Sequence, residues 1–210
     1  MAKGFFVTGT DTNVGKTVLS ALLCSSLPAS YWKPIQTGAS EGSDRQRVIR
    51  LSGIAPDLAA PEAYIFDDPV SPHLAAQRTG NEISLERIRL PECKRDLPVI
   101  VEGAGGIMVP VNRGEFMRDL MRRLALPVIL ASRSTLGTIN HTLLSINALR
   151  DAGLEVLGVV LIGPEDADNR HAIERYGGIA VIGHIPVLQE ISREALVEVF
   201  TQRFNRRVFL

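Results

Sequence analysis

Gly9-Thr10-Asp11-Thr12-Asn13-Val14-Gly15-Lys16-Thr17 follows the apolar run Phe5-Phe6-Val7 and precedes Val18-Leu19-Ser20-Ala21-Leu22-Leu23, a stretch that reads as a helix. A strand, a glycine-bounded loop ending in Gly-Lys-Thr, and a helix make a phosphate-binding P-loop. Backbone N–H groups of such a loop wrap a triphosphate, and the helix N-terminus adds positive partial charge. Lys16 is then placed to reach the β and γ phosphates and the Thr17 hydroxyl to ligate Mg²⁺, so the expected ligand is a nucleoside triphosphate. Five residues rather than four separate Gly9 from Gly15, and Thr10 stands where the first glycine of the usual pattern would be.

The rest of the chain fits a single domain built around that loop. At 210 residues one core of substantial size is expected, since domains of this length bury roughly 70% of their unfolded-chain surface. Lys+Arg and Asp+Glu both number 23, which leaves no global basic excess to draw the protein to nucleic acid or an anionic membrane. Cys24 and Cys93 lack metal-ligand spacing and suit a reduced cytosol, and the four histidines are scattered and form no Zn²⁺ pattern. The N-terminus lacks the apolar centre of a signal peptide, and Val156 to Gly163 falls far short of the ~20 residues that span a bilayer. These features point to a soluble cytoplasmic protein.

Downstream of the loop, strand and helix patterns alternate. Ala29-Ser30-Tyr31-Trp32 reads as a strand ended by Lys33-Pro34, which leaves Lys33 either a cation at the ligand edge of a parallel sheet or an ordinary loop lysine. Gly38-Ala39-Ser40-Glu41-Gly42 matches Gly-x-Ser-x-Gly. A nucleophile elbow joins strand directly to helix, however, and Pro34 to Thr37 intervene, so a serine hydrolase is not expected. Asp44 opens a helical stretch from Arg45 to Ser52 as a cap or first-turn residue, or as a carboxylate near a metal; residue type alone favours the cap. Residues 55–72 carry four prolines and read as a surface excursion, after which Ser71-Pro72 starts a short helix over His73 to Gln77.

Leu97-Pro98-Val99-Ile100-Val101 is an apolar strand buried on both faces, ending on Glu102 ahead of Gly103-Ala104-Gly105-Gly106. An acid at such a strand end holds Mg²⁺ in P-loop nucleotide hydrolases, and small residues after it admit backbone N–H groups to a substrate. Helices are then expected over Phe116 to Leu124, Ile139 to Arg150, Asn169 to Tyr176 and Ile191 to Phe204. Strands are expected over Pro127 to Ala131, Val156 to Ile162 and Ile179 to Ile182. The pattern predicts a doubly wound, mostly parallel α/β sheet, a P-loop nucleoside triphosphate hydrolase fold in one domain over 1–210, with the site along the strand ends at Thr8, Lys33, Glu102 and Ala131.

Five motifs standing in one order resemble those of the dethiobiotin synthetase family: Gly9 to Thr17 with its extra residue, Tyr31-Trp32-Lys33-Pro34, Pro69-Val70-Ser71-Pro72-His73, Val101 to Gly106, and Leu136-Gly137-Thr138-Ile139-Asn140-His141. The resemblance covers nearly the whole chain. It implies synthesis of dethiobiotin from 7,8-diaminopelargonic acid, CO₂ and ATP, with Mg²⁺, in a homodimer. It also implies catalytic roles for Lys16, Lys33 and Thr12, and metal ligation by Thr17, Asp44 and Glu102. Nucleotide contacts would come from Asn13, Val14, Gly15, Lys16, Thr17, Val18, Glu102, Gly105, Ile162, Gly163, Ile185 and Pro186. Substrate contacts would come from Thr12, Lys33, Thr37, Gly105 and Gly106, with Gly137, Thr138, Ile139 and Asn140 of the helix start serving the partner subunit's site. Where relatives often place Asn-Asp to read adenine, this chain has Ile162-Gly163-Pro164, which predicts relaxed base choice.

Two other functions share the loop. A partition or septum-site switch ATPase usually carries a lysine early in the loop, where Thr10-Asp11 stand here, and Arg203, Arg206 and Arg207 are too few for a basic membrane tail. A cobyrinic acid synthase-like amidating enzyme continues into a glutaminase domain, and this chain ends at Leu210.

Overall fold

Aliphatic and β-branched runs such as Val128-Ile129-Leu130-Ala131, buried throughout, have no polar face to offer water and are satisfied only between two layers of helix. The computed structural model, which describes residues 4–92 and 97–209, shows that arrangement. Its strands are β1 (Gly4–Gly9), β2 (Ser30–Trp32), β3 (Ile35–Gln36), β4 (Ala59–Ala60), β5 (Tyr64–Ile65), β6 (Val99–Gly106), β7 (Val128–Arg133), β8 (Val156–Ile162) and β9 (Val181–Ile185). Seven of them form one sheet in the order β4-β2-β6-β1-β7-β8-β9, and β3 pairs with β5 beside it. Every pairing is parallel.

The two faces are covered separately. Helices α1 (Lys16–Ser26), α2 (Asp44–Ser52) and α7 (Arg193–Arg203) bury Leu19, Val48 and Leu196 against Val7, Ile100 and Ile129. On the other face α3 (Pro72–Arg78), α4 (Met117–Leu124), α5 (Thr138–Asp151) and α6 (Ala167–Gly177) contribute Ala75, Leu120, Ile146 and Ile173, packed with Phe6, Val101 and Leu130. Successive residues of β1, β6 and β7 thus feed opposite cores, as the pleat requires. The predicted doubly wound fold is the one observed. Strand order reverses on either side of β1, the switch point where such sheets bind ligands outside their carboxyl ends.

Some boundaries differ from the sequence reading. β6 does not end at Val101 but runs on to Gly106, because Gly9 pairs with Gly106 across a register shift; Glu102 therefore stands inside the strand. β9 begins two residues later than expected and reaches Ile185, held in register by Leu161–His184 and Ile162–Ile185 pairing. The proline-rich excursion supplies the edge strand β4, where missing ladder donors are tolerated. Gly38 to Gly42 forms a single 3₁₀ turn over Ala39–Glu41, away from any strand-to-helix elbow. Cys93 lies outside the described residues, and Cys24 is a free, buried thiol. Among the described residues no helix is long and apolar enough to cross a membrane.

Candidate active site

The loop after β1 is shaped by its own backbone. Gly15 caps α1 at φ 96° and Asn13 stands at φ 58°, both left-handed, which turns the chain sharply into the helix. Thr10 N–H donates to Ala131 O of β7 at 3.0 Å. Asp11 accepts from Thr12 N–H at 2.6 Å and from Arg133 Nη2 at 3.2 Å, and the same guanidinium nitrogen donates to Thr12 O at 3.2 Å. Opposite, Gly105 near the end of β6 stands at φ 66°, and a Cβ there would also lie 2.7 Å from Val109 Cγ2. Only glycine fits there.

Lys16 folds back over the loop, donating from Nζ to Asp11 O at 2.8 Å. Burial lowers its ammonium from the ordinary lysine range to about 8; Glu102 opposes that shift and neighbouring Lys33 adds to it. Burial outweighs the nearby carboxylates, so the charge is left incompletely balanced, as suits a cation that receives a triphosphate.

Beneath it lies a buried cluster drawn from three elements. Strand alternation puts Tyr31 and Lys33 on one face at the end of β2, and Ile100 and Glu102 on the same face of β6, with Tyr31 in register with Ile100. Helix α1 covers that face with Thr17 at its start. Glu102 is fully buried; its Oε1 accepts from Thr17 Oγ1 at 2.8 Å and from Lys33 Nζ at 3.1 Å, and its Oε2 from Tyr31 OH at 3.0 Å. Lys33 Nζ also bonds Asp44 Oδ2. Burial opposes the Lys33 charge, but Glu102 and Asp44 outweigh it and hold the ammonium above its ordinary value. Asp44 likewise resists burial and is held below the usual carboxylate range, chiefly by Lys33. The Tyr31 hydroxyl is pushed well above its usual range by burial and then by Glu102, so it remains a donor.

Asp44 owes its position to its neighbours. The cap of α2 is Ser43, whose hydroxyl accepts from Gln46 N–H at 3.2 Å while Gln46 Oε1 accepts from Ser43 N–H at 3.4 Å. Asp44 is the first helical residue, and its own N–H is held by Gln36 Oε1 at 3.0 Å. That frees its carboxylate to face Lys33 instead of capping the helix.

A cleft of about 620 Å³ opens above this cluster, lined by Thr12, Asn13, Gly15, Lys16, Thr17 and Val18 of the loop, by Lys33, Thr37 and Asp44, and by Glu102 and Gly105 of β6. Gln36 and Arg47 also line it and were not singled out from sequence, nor were Tyr31 and Arg133. Their signals were weak: Tyr31 is two residues before Lys33 on a strand, and Arg47 one helical turn after Asp44. The remaining expected residues lie elsewhere. Val14 is buried in the core under α1, and Gly106 abuts the Gly9 and Thr10 carbonyls. Ile162 packs on Gly15, and Gly163, whose N–H donates to Ile185 O at 2.9 Å, joins the ends of β8 and β9 on the far side of the loop, ahead of Pro186. The start of α5, Gly137 to Asn140, lies outside the cleft; Thr138 is buried there, its hydroxyl 2.9 Å from Ser132 Oγ and its N–H donating to Thr135 O.

Thr17, Asp44 and Glu102 are hard oxygen donors, two of them carboxylates, on one wall of the cleft. Mg²⁺ is held by one or two carboxylates together with substrate phosphates and keeps waters of its own, so this donor set fits it.

A parallel sheet with a phosphate loop at its switch point and a lysine-carboxylate cluster beside it defines a nucleotide-binding P-loop protein. A family model described as an AAA domain matches residues 3–195. In fold the chain is like a ParA family ATPase from Chlorobium tepidum TLS, with TM-score 0.54 at 13% identity over 94% of this chain and 90% of that one. It is also like a putative plasmid partition protein from Borrelia burgdorferi B31 bound to AMPPNP, with TM-score 0.52 at 12% identity over 96% and 99% of the two chains. The sequence narrows the class. It is 47% identical over 210 residues to the ATP-dependent dethiobiotin synthetase BioD of Rhodopseudomonas palustris strain HaA2, covering 100% of this chain and 98% of that protein. It is 43% identical, over the same shares, to the enzyme of that name from Agrobacterium fabrum strain C58. The chain belongs to the dethiobiotin synthetase family.

Proposed function

We propose that this protein is a cytoplasmic ATP- and Mg²⁺-dependent dethiobiotin synthetase that closes the ureido ring of dethiobiotin on 7,8-diaminopelargonic acid with CO₂, in biotin biosynthesis. The observation that carries the reading is the convergence of Lys16, Thr17, Lys33, Asp44 and Glu102 on one cleft, in a chain alignable end to end with relatives of that name.

In the reaction, one substrate amine adds to CO₂ and loses a proton to give a carbamate. A carbamate oxygen attacks the γ-phosphorus and the bond to ADP breaks. The second amine then attacks the carbonyl carbon of the mixed anhydride, the C–O bond to phosphate breaks, and the ring closes as the new ring nitrogen loses a proton to solvent or the departing phosphate. No protein nucleophile is needed, because phosphoryl transfer is limited by positioning and by crowded negative charge. Lys16 neutralises the β and γ phosphates as the bond to ADP lengthens. Thr12, Lys33 and Thr37 hold the carbamate and the transferring group, with the backbone N–H of Gly105 on the far wall. Thr17, Asp44 and Glu102 would hold Mg²⁺, which would supply charge neutralisation at the phosphate oxygens. The rest of the nucleotide would meet Asn13, Val14 and Val18, and the base Ile162, Gly163, Ile185 and Pro186.

The test is phosphate release from ATP with and without diaminopelargonate and bicarbonate. Release that depends on both, with dethiobiotin formed mole for mole, supports the reading; substrate-independent hydrolysis refutes it. In the same assay GTP or CTP is expected to sustain appreciable turnover, because Ile162-Gly163-Pro164 offers no side-chain amide to pair with adenine, and unpaired sites discriminate weakly. Saturation curves that show ATP alone to be used would mean that backbone groups read the base.

The working unit in this reading is a homodimer in which the α5 start, Gly137 to Asn140, of one subunit holds the substrate's tail carboxylate in its partner's site. A carboxylate at a helix N-terminus gains ~0.3–2 kcal/mol from the dipole. Asn140→Asp is then expected to raise the KM for diaminopelargonate and leave nucleotide affinity alone. Mixing Asn140→Asp with Lys16→Ala chains puts both defects in one site of each mixed dimer and neither in the other. Activity should recover on mixing; no recovery with subunit exchange demonstrated would mean that each chain builds its own site.

A further inference from the structure

Tyr31 does not line the cleft, yet it is tied to the acid at its floor. Tyr31 and Glu102 are both 0% exposed, and the tyrosine hydroxyl donates to Glu102 Oε2 at 3.0 Å. Thr17 and Lys33 use the other carboxylate oxygen, Oε1, at 2.8 and 3.1 Å. The Tyr31 backbone is held in register with Ile100 of β6, and the ring packs in the buried cluster that includes Leu19 and Leu22 of α1.

We propose that Tyr31 is a positioning residue that occupies Glu102 Oε2 so that Oε1 alone is presented to a divalent cation, and thereby sets the protein's metal affinity. The proposal rests on the assignment of Thr17, Asp44 and Glu102 to Mg²⁺. Thr17 and Lys33 already hold Oε1, so loss of the tyrosine hydroxyl would free Oε2 to join in two-oxygen ligation, whereas Mg²⁺ demands near-ideal octahedral geometry. A donor locked on one oxygen removes that freedom before the metal arrives. Partners of this kind typically contribute 10–100-fold in metal affinity. The role is invisible to a motif search, since Tyr31 reaches the metal only through Glu102.

The test measures Mn²⁺ binding by electron paramagnetic resonance in the presence of AMPPNP, in the wild type and in Tyr31→Phe. The variant is expected to bind Mn²⁺ about 10-fold or more weakly, to need correspondingly more Mg²⁺ for half-maximal turnover, and to keep its kcat at saturating Mg²⁺. A lower Tm with unchanged Mn²⁺ affinity is what a purely structural tyrosine gives, and it overturns the proposal. In a Glu102→Gln background Tyr31→Phe should weaken Mn²⁺ binding no further; additive losses overturn it too. Should Tyr31→Phe fail to fold, protein carrying Tyr64→Phe and Tyr176→Phe leaves Tyr31 as the single tyrosine, and its infrared C–O stretch should shift on adding Mg²⁺ and AMPPNP. An unmoved band overturns the proposal. The Mn²⁺-binding and infrared readouts do not involve diaminopelargonate. A protein that loses Mn²⁺ affinity on Tyr31→Phe but makes no dethiobiotin refutes the proposed function alone, and one that makes dethiobiotin with Mn²⁺ affinity indifferent to Tyr31 refutes this inference alone.

Discussion

Lys16→Ala is expected to lower kcat by ~10²–10³-fold or more, the usual loss when a charge-stabilising group is removed from a reacting centre, while the protein still folds. Lys16 is 7% exposed, and among the described residues its side chain hydrogen-bonds the Asp11 carbonyl. Its folded-state pKa is about 8 against an ordinary 10.5, with burial the largest cause. The unfolded chain therefore binds more protons than the folded one between those values, so the group's contribution to stability rises with pH there and is most unfavourable below about 8. Removing the cation at pH 7 relieves that penalty, and Tm should be unchanged or higher. Steady-state phosphate release and a melting curve on the same sample decide the matter. A variant with near-normal turnover would remove Lys16 from the mechanism, and one that is inactive because it is unfolded would show the lysine to be structural.

Lys33→Met is expected to fail in two ways. The wild-type ammonium, 5% exposed, is shared by Asp44 and Glu102, and removing one partner of a buried ion pair destabilises by about 3–5 kcal/mol because the remaining charge is uncompensated. Turnover should be lost as well, since the same cation lines the cleft that the proposed reaction gives to carbamate and phosphate. The pH dependence of stability should reverse. In the wild type, Asp44 is held below its ordinary 3.8, so its contribution is complete above that value and lost only as pH falls further. In the variant the buried Glu102 and the partly buried Asp44 lose the cation between them, leaving only the exposed Arg47 at 3.9 Å from Asp44 and the more distant Lys16 to offset them, and protonating one of them becomes favourable. Urea unfolding should therefore show the variant to be more stable at pH 5 than at pH 7, with Mg²⁺ restoring part of the loss at pH 7. Equal stability of variant and wild type at pH 7 would mean that water, not Lys33, satisfies the acids.

The contrast between these two lysines runs through the whole molecule. Lys16 was legible because everything that defines its role, the preceding strand, the glycine turn and the helix start, lies within a few residues of it. Lys33 could be read two ways from residue type, and only its 69-residue separation from Glu102 being closed to 3.1 Å distinguishes a site cation from a loop lysine. Asp44 had its cap role favoured on residue type; Ser43 takes that role through the capping box with Gln46, and the carboxylate is released for Lys33. Tyr31 and Glu102, 71 residues apart, carry no shared local pattern at all.

By itself the sequence determined the alternation of strands and helices, the phosphate loop and the class of chemistry, because periodicity, turn residues and loop glycines act over distances of a few residues along the chain. The tertiary structure decided which strands are neighbours, how far β6 extends, and that β2, β6 and α1 converge on one buried acid. Those outcomes depend on parallel pairing between segments separated by most of a domain, where hydrogen-bond register and the exclusion of water, not local preference, choose the partners.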